Sequence, residues 1–174
     1  WKPSREQITE LHTIAPFSFT NQYGKTVSNS TFKGKNYLVS FFFTSCPSIC
    51  PKLTNTMKLV FENFKGNDNI LFLSHSVTPD IDSVGRLYNY AKQNNILSKQ
   101  WHLVTGNKSD IYNIARKSYF IEEEMGLSKL SDQFLHTENF ILIDKEGHIR
   151  GIYNGTLEAE VPRITEDVNA LIKN

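Results

Sequence analysis

A chain of 174 residues with 39% hydrophobic, 21% charged and 12% aromatic residues has the composition of one globular domain and excludes collagen, coiled coil or a disordered chain. Its 19 basic and 18 acidic residues leave a net charge of +1, so no field of one sign is present to hold nucleic acid or an anionic membrane. Two cysteines are too few for a disulfide scaffold, and no apolar run reaches the ~20 residues that span a bilayer.

The chain opens on Trp1 rather than Met. This is expected of a trimmed chain whose leader or anchor is out of view. Residues 1–15 read as an N-terminal extension, and residues 1–174 as a single domain.

Phe17, Phe19 and the residues between them alternate, residues 21–25 read as a turn, and residues 26–28 return as a short hairpin strand. Residues 37–43 are almost continuously apolar, as expected of a parallel strand covered on both faces. A helix is predicted over residues 51–64, with Leu53, Met57, Val60, Phe61 and Phe64 on one buried face. Residues 70–75 form a second buried strand. Asp82 is expected to cap a helix that buries Val84, Leu87, Tyr88 and Ala91.

A third strand falls near residues 101–104, and Asn107 or Ser109 can cap a short helix through Ile111, Ile114 and Ala115. Residues 118–133 carry no readable period. Residues 140–144 are a strand, a turn with Gly147 follows, and residues 148–153 return antiparallel. Val161, Ile164, Val168 and Leu171 mark a closing helix, with Pro162 tolerated in its first turn. The order implies an α/β domain of three layers, a central mixed sheet flanked by helices with an N-terminal hairpin. In such sheets ligand chemistry gathers at the carboxyl ends of the strands, and that is where the strand over residues 37–43 delivers Cys46.

The cysteines stand in Thr44-Ser45-Cys46-Pro47-Ser48-Ile49-Cys50-Pro51. Pro47 disfavours a helical Cys46, and Pro51, lacking an N–H, suits a first helical turn. Both thiols are therefore placed on a strand-to-helix turn at the positive end of a helix dipole. That position is expected to lower their pKa values. Three intervening residues allow either a disulfide or two sulphurs on one metal. Inert buried thiols are disfavoured by two prolines at such a junction. A permanent local disulfide would close only a small loop and add little stability. A redox or metal role is the preferred reading of the residues themselves.

These residues resemble the Sco/SenC family of copper-binding assembly factors, whose thioredoxin-like fold carries a Cys-Pro-x-x-x-Cys-Pro turn, here Cys46-Pro47-Ser48-Ile49-Cys50-Pro51. The family's distant histidine, set before a strand and a glycine turn, matches His136, and residues 76–82 resemble a loop that usually contains Val-Asp-Pro. The likeness runs from about residue 17 to the C-terminus. Three positions depart from the pattern: Thr78 replaces the aspartate of that loop, Leu135 the acid before the histidine, and Ser48 the aspartate after the first Cys-Pro. The secondary roles ascribed to those acids, in partner contact or histidine orientation, are not carried by these residues.

The resemblance implies one copper ion, Cu(I) or Cu(II), held by Cys46, Cys50 and His136. It implies a metallochaperone rather than a turnover enzyme, acting on the binuclear copper centre of cytochrome c oxidase. The partner would be the copper-accepting subunit of a terminal oxidase, with a thiol reductant as a further one. The protein would be extracytoplasmic and anchored to a membrane, facing the periplasm or the mitochondrial intermembrane space.

Four functions are distinguishable. A copper chaperone uses all three ligands. A thiol–disulfide oxidoreductase, with Cys46 and Cys50 as its catalytic pair, does not require His136. A peroxiredoxin is disfavoured because its proline and threonine positions are Val39 and Phe43. A Cys₂His zinc site lacks an identifiable general base. His75 is expected either to pack in the core or to support the site. His12, His102 and His148 belong to no constellation, Trp101, Tyr119 and Phe120 read as packing residues, and Glu122, Glu123 and Glu124 as a solvated face.

Overall fold

The computed structural model describes residues 13–46, 49–96, 98–119 and 138–173. Strand β1 (Ser18–Asn21) and strand β2 (Thr26–Ser28) form the predicted hairpin. Gly24 takes φ +74° in its turn. A short helix α1 (Asn29–Phe32) leads to β3 (Asn36–Phe42), in which every residue is buried. Then follow α2 (Ile49–Phe64), β4 (Ile70–Ser76), α3 (Val84–Gln93), β5 (Trp101–Thr105) and α4 (Lys108–Asn113). A π-helical turn over Ile114–Ser118 extends α4. The hairpin of β6 (Asn139–Ile143) and β7 (Ile149–Asn154) precedes the closing helix α5 (Val161–Ile172).

Among the described residues seven strands form one sheet in the order β2-β1-β5-β4-β3-β6-β7. The central β5, β4 and β3 run parallel, and both flanks are antiparallel. Because β3 is apolar on both sides, its alternation feeds two cores. Leu38 and Phe42 pack with Leu53, Met57, Val60 and Phe61 of α2, Leu87 and Ala91 of α3, and Ile164 and Val168 of α5. Tyr37, Val39 and Phe41 face the other way, toward Phe17, Phe19, Phe32, Ile111 and Ala115. The result is the expected three layers. Each large side chain so buried contributes roughly 1.5–3 kcal/mol, which offsets the chain entropy lost in ordering the layers.

Three local expectations change. Helix α2 begins at Ile49, which places Cys50 inside the first helical turn. The cap of α3 is Ser83, whose hydroxyl accepts the N–H of Arg86 at 3.2 Å, and not Asp82. Tyr88 is exposed rather than buried and lies edge-on to Tyr23 at 6.3 Å. The buried face of α3 is carried by Leu87 and Ala91 alone. Asn107, one of the two residues proposed, caps α4.

Candidate metal and thiol site

The parallel strands β3 and β4 end side by side, with Phe42 opposite Ser76 and Val77 N–H donating to Phe42 O at 2.8 Å. Beyond them the chain turns. Cys46 N–H closes onto Phe43 O at 3.1 Å, which bends the backbone out of the sheet and toward α2. The N–H groups of a helix's first turn lack partners within the helix. Here the Cys50 N–H donates to Cys46 Sγ at 3.4 Å, and Pro51 has no N–H to satisfy. The two cysteines are not joined in a disulfide, with Cys46 half-buried at the surface and Cys50 only 3% exposed beneath it.

Burial decides the chemistry of Cys50. Its pKa is pushed up to about 12, first by desolvation and then by hydrogen bonding to Cys46, with smaller contributions from the negative charges of Cys46 and Asp82. The expectation that the helix dipole lowers the pKa of both thiols is therefore corrected at Cys50. A dipole contributes about 0.3–1 kcal/mol near the surface, and loss of water around a thiolate outweighs it.

A buried acid frames the turn. The Asp82 side chain is 0% exposed. Its carboxylate accepts from Thr44 Oγ1 at 2.5 Å, Thr44 N–H at 3.2 Å, Ser76 Oγ at 2.7 Å and Thr78 Oγ1 at 3.0 Å. Arg86 Nε stands 3.6 Å from it. The same guanidinium donates to Thr44 Oγ1 and to Ser45 Oγ, each at 2.7 Å. Thr78, where the resemblance expects aspartate, thus supplies a hydroxyl donor to Asp82 in place of a second negative charge.

Tyr90 completes the wall. Its ring lies 5.2 Å from that of Phe42, and its hydroxyl pairs with Thr54 Oγ1 at 2.8 Å. Burial raises its pKa, and the negative charges of Cys50, Cys46 and Asp82 add to the rise. Sequence reasoning missed Tyr90 and misassigned Asp82. A tyrosine within a helix and an acid beside a helix start carry no signal that they border the cysteine turn.

Among the described residues no group of three or more metal-ligating side chains converges. His136 and Leu135 lie outside the described residues, as do Pro47, Ser48, His12, Phe120 and Glu122–Glu124. His75 is fully buried on the opposite face of the sheet from Cys50, within rings of Phe17, Phe19, Phe41 and Tyr119. It is a core residue and not a support of the thiols. His102 pairs with Asn21 Nδ2 at 3.2 Å, and burial lowers its pKa. Half-exposed His148 sits in the β6–β7 hairpin, 3.7 Å from both Asp144 and Glu146.

Comparison with known proteins points in one direction. The family model SCO1/SenC matches residues 5–173. A SCO1/SenC family lipoprotein from Bacillus anthracis superposes with a TM-score of 0.80 at 28% identity, covering 92% of this chain and 95% of its own. BsSco, a Sco family cytochrome c oxidase assembly protein in which a disulfide switch has been identified, gives 0.78 at 31% identity, with 93% and 94% covered. ScoI of Arabidopsis thaliana, solved with copper bound, gives 0.70 at 25% identity, with 91% and 97% covered. The mixed sheet and its helices are thus the thioredoxin-like arrangement of Sco structures.

Proposed function

The chain belongs to the SCO1/SenC family, and from that premise we propose that it is a copper metallochaperone, carrying one copper ion on the thiolates of Cys46 and Cys50 and the imidazole of His136. The observation that carries the reading is the meeting of two cysteines, not joined in a disulfide, at one strand-to-helix turn, where the backbone N–H of Cys50 donates to Cys46 Sγ at 3.4 Å. Thiolates are soft donors that favour Cu(I), and imidazole suits copper in either oxidation state. The copper-bound Arabidopsis relative supports this choice of metal. The recipient is the copper-accepting subunit of a terminal oxidase, where a binuclear centre is built, a partner supported by the assembly role of BsSco.

Transfer is ligand exchange. The reduced pair captures the ion with loss of thiol protons, and thiolates of the recipient then compete for it. Cys46 is the sulphur an incoming group reaches, whereas Cys50 is anchored in the helix beneath. Oxidation by a disulfide, which takes up the two electrons and two protons and leaves as two thiols, joins the two sulphurs and removes both thiolate ligands. Loading is then tied to redox state, as the disulfide switch of BsSco supports. No helix among the described residues is long and apolar enough to cross a membrane. The lipoprotein relative supports an extracytoplasmic, membrane-anchored placement.

A second reading, dithiol reductase, is favoured by one observation, the unequal exposure of the two thiols. Cys46 would attack a partner disulfide to form a mixed disulfide. Cys50 would release the partner as a dithiol, leaving the Cys46–Cys50 bond behind. An anaerobic Cu(I) titration against a competing chelator separates the two. The chaperone reading expects one-to-one binding that weakens at least tenfold in His136→Ala and collapses in Cys50→Ala. Full affinity in Cys50→Ala, or indifference to His136, overturns the three-ligand site and leaves the reductase.

A further inference from the structure

We propose that Asp82 is a positioning residue for the Cys46/Cys50 pair, holding the turn that presents Cys46 to Cys50. The inference rests on the reading that these two thiols are the working groups.

The carboxylate lies between three segments that meet only at this end of the sheet. From the turn after β3 it receives both the N–H and the hydroxyl of Thr44, two residues before Cys46. From the end of β4 it receives Ser76 Oγ, and from the following loop Thr78 Oγ1. Its own N–H returns to Thr78 O at 2.9 Å, which closes that loop beneath it. Arg86, one turn along α3, sits 3.6 Å from the carboxylate and grips Thr44 and Ser45 through their hydroxyls.

A carboxylate with no exposed surface is strongly unfavourable unless its lone pairs are occupied. Asp82 meets half of that demand through Thr44, whose N–H and hydroxyl make two of the four hydrogen bonds to the carboxylate. The converse also holds. With Thr44 and Ser45 fixed, the Cys46 N–H can close on Phe43 O and the Cys46 sulphur can meet the Cys50 N–H. The contacts of Asp82 and Arg86 reach Thr44 and Ser45, so Asp82 acts through the backbone at residues 44–46. A helix cap would not require this convergence, and Ser83 already supplies the cap.

The test reads the thiol pair without copper, so its outcome is independent of whether the protein carries the metal. The reduced protein is equilibrated with defined ratios of glutathione and glutathione disulfide. Forming Cys46–Cys50 converts one glutathione disulfide to two glutathiones, and the equilibrium constant follows from the fraction oxidised. Asp82→Asn places an amide donor against four donors, and Thr44→Val removes one hydroxyl while leaving the carboxylate charged. Both are expected to change the constant by about tenfold or more in the same direction, and the double variant is expected to change it less than the product of the two.

Ile149→Val, a core deletion in β7 on the other face of the sheet, lowers stability and is expected to leave the constant within twofold. Should Asp82→Asn not fold, Thr44→Val alone decides. The proposal fails if Thr44→Val or folded Asp82→Asn keeps the parent constant. It also fails if Ile149→Val shifts the constant as far as they do, since the effect would then be general loss of stability. A positive result with no Cu(I) binding would retain the positioning role and discard the chaperone reading.

Discussion

The backbone N–H of Cys50 donates to the sulphur of Cys46. This one bond lets a thiol do what a serine or aspartate oxygen does at other helix starts, satisfying a first-turn donor. It also makes the two sulphurs unequal, because the acceptor is at the surface and the donor's own side chain is in the core.

The inequality predicts stepwise alkylation of the reduced, metal-free protein. Cys46 is reached by reagent directly. Cys50, with its pKa raised from the usual 9.0 to about 12, carries roughly a thousandth of the thiolate of an ordinary cysteine near neutral pH, since each unit is a factor of ten. Mass spectrometry of iodoacetamide-treated protein at pH 8 is expected to show one adduct, on Cys46, long before a second. The second is expected to accelerate about tenfold per pH unit up to the pH at which the fold fails. Equal labelling of both thiols at pH 8 would contradict the buried Cys50.

The layers were legible because long runs spoke with one voice. The largely apolar, wholly buried β3 and the 3.6-residue spacing of Leu53, Met57, Val60 and Phe61 left little choice of partner. The cysteine turn was legible because proline restricts the backbone at residue 46 and removes a donor at residue 51. What the sequence hid depends on three-dimensional convergence. Asp82 stands one residue before a serine that is an equally good cap, and only its contacts with Thr44 and Ser76, 38 and 6 residues away, reveal its other task. The pKa of Cys50 was misjudged for a related reason. A dipole is read from the position of a helix start, whereas desolvation depends on what packs over it, here Leu53, Phe42 and their neighbours.

Gly155 tests the packing of the β6–β7 hairpin. Its N–H donates to Glu138 O at 2.7 Å, and an added Cβ would lie 2.4 Å from an edge carbon of the buried Phe140 ring. That ring has no free rotamer to take, being 0% exposed among Leu142, Tyr153 and Ile164. Gly155→Ala is expected to lower the unfolding free energy by about 1–3 kcal/mol, the usual cost of overpacking. Chemical denaturation measures it. The Cys46/Cys50 equilibrium with glutathione is expected to be unchanged, since the hairpin lies outside the cysteine turn.

His75 predicts acid sensitivity. Its ring has no hydrogen-bond partner among the described residues. It stacks on Phe41 at 5.0 Å and meets Phe19 edge-on at 5.2 Å, and desolvation lowers its pKa from 6.5 to about 3. The folded state therefore keeps His75 neutral where the unfolded chain protonates it. The stability this gives is complete above pH 6.5 and is lost as the pH falls from 6.5 toward 3. The loss is at most about 1.4 kcal/mol per unit from this one group. His75→Phe replaces the imidazole by a ring that needs no partner in the same aromatic surroundings. Urea unfolding at pH 7.5 and pH 5 is expected to show a smaller drop for the variant, by about 1–2 kcal/mol. Parallel pH profiles would mean that His75 is protonated or hydrogen-bonded in the folded protein.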